Sequence, residues 1–310
     1  ITLTRVMFPY LFFVGLLALA MGILNALGHF AAPALAPVLL NLSMICAAFL
    51  LSPRLDNPAT GLAVGVFFGG FLQLFLQFPF LIKKGVLFWQ NAVVFHPGLK
   101  QVGCLVGPVV LGSAVYQINV FIDTFLASFL PEGSVSYLYY ADRLVQFPLG
   151  VFAVTTATAA LPSLSRQATA MDIDGIREVF GHAIRLVAFL TVPAMVGLVV
   201  LREPVVALLF KRGAFDGHAV RLTASALLYY GIGLWAYAAV KIVVTTLYAL
   251  GDSVAPMKSA VAAVFFNVVL GMALMGSMGH NGLALSTSLA AILNLVFLTR
   301  PLVRRLGSMG

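Results

Sequence analysis

The chain has 310 residues, of which 61% are hydrophobic and only 9% charged, with a mean hydropathy of +1.04 and a formal net charge of +8. Soluble domains average roughly 25% charged residues, and so few ionic side chains cannot clothe a water-facing surface. Composition therefore excludes a cytosolic enzyme, a disordered or coiled-coil chain and a disulfide scaffold, and it points to a polytopic membrane protein.

Nine apolar runs follow one another at about 6–27, 33–52, 60–81, 103–130, 135–161, 179–201, 222–250, 256–278 and 283–299. Their Leu, Ala and Val content lacks the short alternation of a barrel strand, so each reads as a helix. Most connections are short and carry turn residues, as in Gly28-His29, Pro131-Glu132-Gly133 and Gly251-Asp252. Two are longer. Segment 82–101 sets Lys83, Lys84 and Lys100 around Phe88, Trp89 and Phe95, which suits a membrane interface, and segment 202–219 mixes Arg202, Glu203, Lys211 and Arg212 with Leu208, Leu209 and Phe210. Cys46 and Cys104 lie inside apolar runs and read as small packing residues. The 18 Lys and Arg are scattered, without a basic stripe or aromatic platform, so nucleic acid is not an expected partner.

Loop cations set the orientation. Lys83, Lys84, Lys100, Arg166, Arg177, Lys258, Arg300, Arg304 and Arg305 fall on one side, and Arg5, Arg54, Arg202, Lys211, Arg212 and Arg221 on the other. Nine against six favours a cytoplasmic carboxyl terminus.

The sequence also resembles itself. ALGHFAAP at 26–33 is echoed by ALGDSVAP at 249–256, and Gly61-Leu62-Ala63 by Gly282-Leu283-Ala284, at offsets of 223 and 221 residues. Six spans separate the copies, and an even number keeps both facing the same way, so the repeat is parallel. The expected fold is an all-α polytopic membrane protein of two six-helix lobes, the first lobe incomplete in this chain. Residues 1–81 would be the second half of the N-terminal lobe, 82–102 an amphipathic cytoplasmic connector, 103–300 the C-terminal lobe and 301–310 a cytoplasmic tail. On this reading three helices precede Ile1 in a longer protein.

No P-loop, HExxH or metal-spaced cysteine pair is present, so binding and movement are expected rather than catalysis, with no resident cofactor. Charges inside the spans carry the strongest local signal: Asp123, Asp142, Arg143 and Lys241, with Arg185 nearer a helix end. Each costs roughly 2.5–3.5 kcal/mol at the bilayer centre on an insertion scale, so a bundle interior or wet cavity is their place. Asp142 and Arg143 point about 100° apart on one helix and cannot simply neutralise each other. Arg143 reads either as half of an ion pair with another helix or as an anion-binding group. Arg185 can snorkel towards the interface. Asp123, near Asn119 and Thr124, reads as a buried hydrogen-bonded acid or as a proton or monovalent-cation site, to which Asn267 and Thr287 could add oxygens. Gly61, Gly65 and Gly69 form a small-residue stripe for close helix approach, and Pro9, Pro37, Pro148 and Pro193 should kink or interrupt their helices.

Three segments carry a likeness to a known family: FPYLFFVGLLALAMGILNALGHFAAPALAPVLLNLSMI at the start, GSVSYLYYADRLVQFPLGVF in the middle and LLFKRGAF after span six. Over essentially the whole chain the sequence resembles the MurJ/MviN family, bacterial flippases of the lipid-linked peptidoglycan precursor lipid II. The resemblance implies spans four to twelve of a fourteen-helix transporter whose two lobes open alternately to either face of the bacterial inner membrane. It implies a lipid-linked diphosphate as substrate, membrane lipids as surroundings and a monomer, driven by the membrane potential or by sodium or proton coupling. Arg143 matches the arginine of the family's ADR motif. Arg143, Lys241, Asp142 and Arg185 are the expected substrate-binding residues, and Asp123, Asn267 and Thr287 the expected cation site. Gly271 stands where some relatives carry an acid, which puts sodium specificity in question, and Gln146 stands where some carry Glu. An exporter of drugs or of another polyprenyl-linked glycan, and a non-transporting membrane scaffold, are the alternatives.

Overall fold

The fold was described from a computed structural model, which covers residues 2–86, 114–115 and 117–307. Every regular element among the described residues is helical. The chain divides into two compact units, Ile1–His96 and Pro97–Gly310.

The first unit holds α1 (Thr2–Met7), α2 (Tyr10–Ala26), α3 (Ala31–Leu50) and α4 (Pro58–Lys83). Pro9, which has no N–H to donate, separates α1 from α2, yet Leu3–Asn25 still forms one apolar span. Pro37 is accommodated inside a continuous α3. A short 3₁₀ turn, Ser52–Arg54, leads to α4, which Asn57 caps by accepting from the Ala59 N–H at 3.0 Å. The glycine stripe of α4 faces α3: a Cβ at Gly65 would lie 2.7 Å from the Ala47 Cβ, and Ser43 Oγ donates to the Gly65 carbonyl at 2.7 Å. Gln73 and Gln77, one turn apart and buried, donate to the α3 carbonyls of Ala36 and Ala32 at 2.9 and 3.1 Å. Cys46 is exposed on the outer face of α3, not packed, because the inner face is taken by the glycine contacts.

The second unit runs through α5 (Gln117–Ala127), α6 (Ser134–Pro148), a π-helical turn at Leu149–Val154, α7 (Thr155–Thr169), α8 (Ile173–Val200), α9 (Arg202–Phe210), α10 (Gly217–Ile232), α11 (Leu234–Ala249), α12 (Val254–Met278) and α13 (His280–Leu306). Seven helical stretches among the described residues are long and apolar enough to cross a membrane, and the α10–α11 pair, bent by 43°, makes an eighth. Of the fourth expected span, only residues 114–115 and the end from residue 117 are described; Cys104 and most of the expected connector lie outside the described residues. Segment 202–219, expected as a connection, contains α9, whose Val206 is buried against α10. The expected tail begins inside a helix: α13 continues past Pro301 because Leu302 and Leu306 are buried against α8 and α11.

Two core clusters stack along this unit. One joins α5, α6, α9, α10 and the start of α13, the other α7, α8, α11 and the end of α13. Both broken helices break at the junction. Pro148 leaves a carbonyl one turn back without its helical donor, and the backbone widens into the π turn, from which Leu149 packs against both clusters. Between α10 and α11, Ser288 Oγ donates to the Tyr229 carbonyl at 2.6 Å, and Gly233 makes room for it, since a Cβ there would lie 2.6 Å from that hydroxyl. Pro193, by contrast, sits inside an unbroken α8.

The repeated sequence folds to a repeated turn. Gly28 and Gly251 have φ of +74° and +75°, and the following residues, His29 and Asp252, donate back to the Leu24 and Leu247 carbonyls at 2.8 and 2.9 Å. Both are glycine-terminated helix caps in which only glycine adopts the backbone without strain. Asp252 then also caps α12 through the Ala255 N–H at 3.0 Å and pairs with Arg305 at 3.6 Å.

The surface is inverted relative to a soluble protein. Phe49 and Phe189 are 78% and 75% exposed, whereas Gln77, Thr191, Asn267 and Ser286 are buried. Outward phenylalanine with inward amide and hydroxyl is the arrangement hydrocarbon solvent demands.

Candidate functional site

The polar residues of the second unit converge where α5, α12 and α13 meet. Asn267 of α12 donates through Nδ2 to Asp123 Oδ1 at 2.7 Å and to Asn119 Oδ1 at 3.0 Å. Asn119 Nδ2 donates to Asp123 Oδ2 at 3.1 Å, and Ser286 Oγ donates to Asn267 Oδ1 at 2.9 Å. Asn119 and Asp123 are one turn apart on α5, so both reach the same partner. Asn267 presents nitrogen to the carboxylate, and the single Ser286 hydroxyl proton is shared between Asn267 Oδ1 at 2.9 Å and the Leu283 carbonyl at 2.8 Å.

Asp123 and Asn267 of the expected cation site are therefore in contact. Thr287 is not; its hydroxyl donates to the Leu283 carbonyl at 2.9 Å within α13, against the buried Tyr230. Ser286 takes the place expected of Thr287. The neighbouring position was not singled out from sequence, although the polar triplet Ser286-Thr287-Ser288 in an apolar run marks it. Asn119 Oδ1 and Asn267 Oδ1 each accept one of these hydrogen bonds, so each amide oxygen keeps a second lone pair that a cation at the carboxylate can share. No cluster of three or more His, Cys, Asp or Glu exists among the described residues, so the donor set suits a singly charged ion or a proton better than a divalent metal.

The ADR segment lies on α6. Arg143 is exposed, with its guanidinium carbon 4.8 Å from the centre of the Tyr139 ring one turn earlier, a cation–π arrangement. Asp142 is half-buried and accepts from Gln146 Nε2 at 3.4 Å, and it lies within electrostatic range of Asp123. Arg143 is in no ion pair: the two pairs among the described residues are Arg177–Asp174 and Arg305–Asp252. Among the described residues no interhelical salt bridge therefore accounts for its presence. Tyr139 and Phe147 share its exposed face.

Lys241, on α11, and Arg185, on α8, are also exposed and unpaired among the described residues. No hydrogen bond or ion pair links either to Arg143 or Asp142. Arg185 lies near the middle of α8 and not near its end, because the helix starts at Ile173. Its side chain lies back along the helix, 3.8 Å from where a Cβ of Gly181 would be, in the direction of snorkelling.

A profile of the family described as Lipid II flippase MurJ matches residues 1–309. The chain belongs to the MurJ family. It is 42% identical over 300 residues to a probable lipid II flippase MurJ of Vibrio cholerae, covering 97% of this chain and 57% of the relative. To the lipid II flippase MurJ of Burkholderia cenocepacia it is 37% identical, covering 98% and 60%. The chain thus spans less than two thirds of the relatives it matches. A solved lipid II flippase MurJ in an inward closed conformation superposes with a TM-score of 0.84 at 26% identity, over 98% of this chain and 64% of that one. An inward-facing multidrug transporter of the MATE family superposes with a TM-score of 0.80 at 15% identity, a likeness of fold alone. MurJ membership and the apolar helices together make the chain a multi-pass membrane protein of a transporter family.

Proposed function

We propose that the chain forms part of a flippase that carries lipid II from the inner to the outer leaflet of the bacterial cytoplasmic membrane, without catalysing a covalent step. Names of relatives at 36–42% identity support this substrate. The observation that carries the residue assignment is Arg143, a guanidinium on an apolar spanning helix with no carboxylate partner. A charge held within a span at a cost of roughly 2.5–3.5 kcal/mol requires water or an anion to offset it. A diphosphate supplies that anion, and the planar fork of arginine matches its oxygens. Asp142, Lys241 and Arg185 are assigned around the same headgroup, while the polyprenyl tail stays in lipid.

Transport proceeds by alternating access, and a ligand shifts that equilibrium only by its different affinity for the two states. The membrane potential supplies about 2.3 kcal/mol per charge per 100 mV. The second contributor is a monovalent cation or proton held at Asp123, with Asn267 and Asn119 as its neighbours. The part-buried carboxylate, bonded by two amides, supports this reading.

Replacing Arg143 by Ala in the full-length protein tests the assignment. Flipping of lipid II falls about ten- to a hundredfold, equivalent to losing a charge-assisted contact of about 1.5–3 kcal/mol, while membrane insertion and thermal stability are unchanged. Undiminished flipping refutes the arginine's role. Export of a drug or another glycan with no lipid II flipping at all refutes the substrate. Failed assembly of Arg143→Ala and Arg143→Lys alike favours a scaffold.

A further inference from the structure

We infer that the carboxyl-terminal end of α13 holds the phosphate headgroup of an anionic phospholipid between Arg300 and Arg304. A shallow, open concavity of about 290 Å³ on the face of α13 is lined by Thr299, Arg300, Val303 and Arg304. The two arginines are one helical turn apart, so their guanidinium groups leave α13 on the same side.

The neighbouring cations have internal partners and these two have none. Arg305 pairs with Asp252 at 3.6 Å. Arg177 donates through Nε to the Leu306 carbonyl at 2.7 Å and pairs with Asp174 at 2.6 Å. Arg300 and Arg304 make no ion pair and no hydrogen bond among the described residues, and both are exposed. The negative end of the helix dipole explains a cation somewhere in the last turn. It does not explain two aligned on one concave face while a third cation is drawn off to an aspartate.

Two planar forks lining one open hollow suit tetrahedral phosphate oxygens. The remainder of the hollow distinguishes a lipid from a free ion. Val303 provides an apolar floor, the Thr299 hydroxyl is spent on the Val296 carbonyl at 2.7 Å, and Val296, one turn further into the span, is 50% exposed. Phosphate is thus met where the helix leaves hydrocarbon, with apolar surface immediately below for the acyl chains.

The test uses the full-length protein in detergent, with thermal stability titrated separately by phosphatidylglycerol, phosphatidylcholine and inorganic phosphate. Phosphatidylglycerol stabilises saturably and the other two do not. In Arg300→Gln/Arg304→Gln the apparent affinity falls about thirtyfold, a factor of about five for each basic group near an anionic headgroup. Arg300→Lys/Arg304→Lys retains binding to within about fivefold, and the exposed control Lys211→Gln/Arg212→Gln binds as the parent does. The proposal is overturned if the glutamine variant titrates like the parent, if both arginine variants behave alike, or if the control weakens equally. Inorganic phosphate reproducing the effect overturns the lipid in favour of a soluble anion. The titration reads lipid binding and not transport, so its outcome is independent of the substrate assigned above.

Discussion

Asn267 donates to Asp123 Oδ1 at 2.7 Å across two helices whose residues are 144 positions apart in sequence. This contact closes the polar network that joins α5, α12 and α13, in which Ser286 Oγ lies within hydrogen-bond reach of the Asn267 oxygen.

The network makes opposite predictions for two of its members. Asp123→Asn abolishes whichever sodium or proton dependence flipping shows while leaving expression unchanged. Ser286→Ala releases the Asn267 oxygen, which then becomes available to a cation; apparent monovalent-cation affinity rises about fivefold, the equivalent of a hydrogen bond of about 1 kcal/mol. Sodium-dependent thermal shifts of the two variants check both, and an unchanged response in both removes the cation from Asp123.

The 43° bend between α10 and α11 depends on an absent side chain. A Cβ at Gly233 would lie 2.6 Å from the Ser288 hydroxyl and 2.9 Å from its Cα, so Gly233→Ala forces the two helices apart. Overpacking of this kind costs about 1–3 kcal/mol. Thermal unfolding in detergent reads the loss, and Ser288→Gly beside Gly233→Ala recovers part of it, because the obstruction is then removed.

Gln77 is 0% exposed, and its Oε1 is buried without a hydrogen-bond partner among the described residues. Removing an unsatisfied acceptor offsets losing the amide's bond to the Ala32 carbonyl. Gln77→Leu therefore changes stability by less than about 1 kcal/mol, in either direction. Gln77→Ala leaves a cavity and lowers it by about 2 kcal/mol or more. Unfolding midpoints of the pair separate the packing of this side chain from its polarity.

At the solvent-exposed start of α10, the Ala219 N–H bound to Asp216 Oδ1 at 2.9 Å holds that carboxyl below the usual carboxylate range. A folded pKa below the unfolded one means that the cap is fully effective above the ordinary value of about 3.9. It is lost as pH falls through the lower folded value. Amide exchange in the first turn of α10, corrected for intrinsic rates, therefore accelerates between neutral and about pH 3. Asp216→Asn flattens that pH response.

Much of the architecture was legible in the residues. Apolar runs of spanning length mark the helices because hydrocarbon leaves backbone groups no partner outside the segment. Gly28 and Gly251 announced their turns, since a left-handed cap has few alternatives to glycine. The consequences of proline were only half legible. Pro148 lies at a helix break, whereas Pro37 and Pro193 are carried inside helices, because neighbours and local adjustment decide whether a missing donor breaks the segment.

The site divides in the same way. Asp123, Asn267 and Arg143 stood out because ionised and amide groups are costly in hydrocarbon, so composition and position alone identified a polytopic membrane protein with polar groups inside its spans, while the transporter reading rested on the family resemblance. Local sequence could not decide which of those groups meet. The choice of Ser286 over Thr287 turns on a rotation of about 100° around α13, and the freedom of Arg143 turns on no carboxylate among the described residues reaching ion-pair distance. Sequence sets the cost of each buried charge, and only tertiary packing assigns its partner.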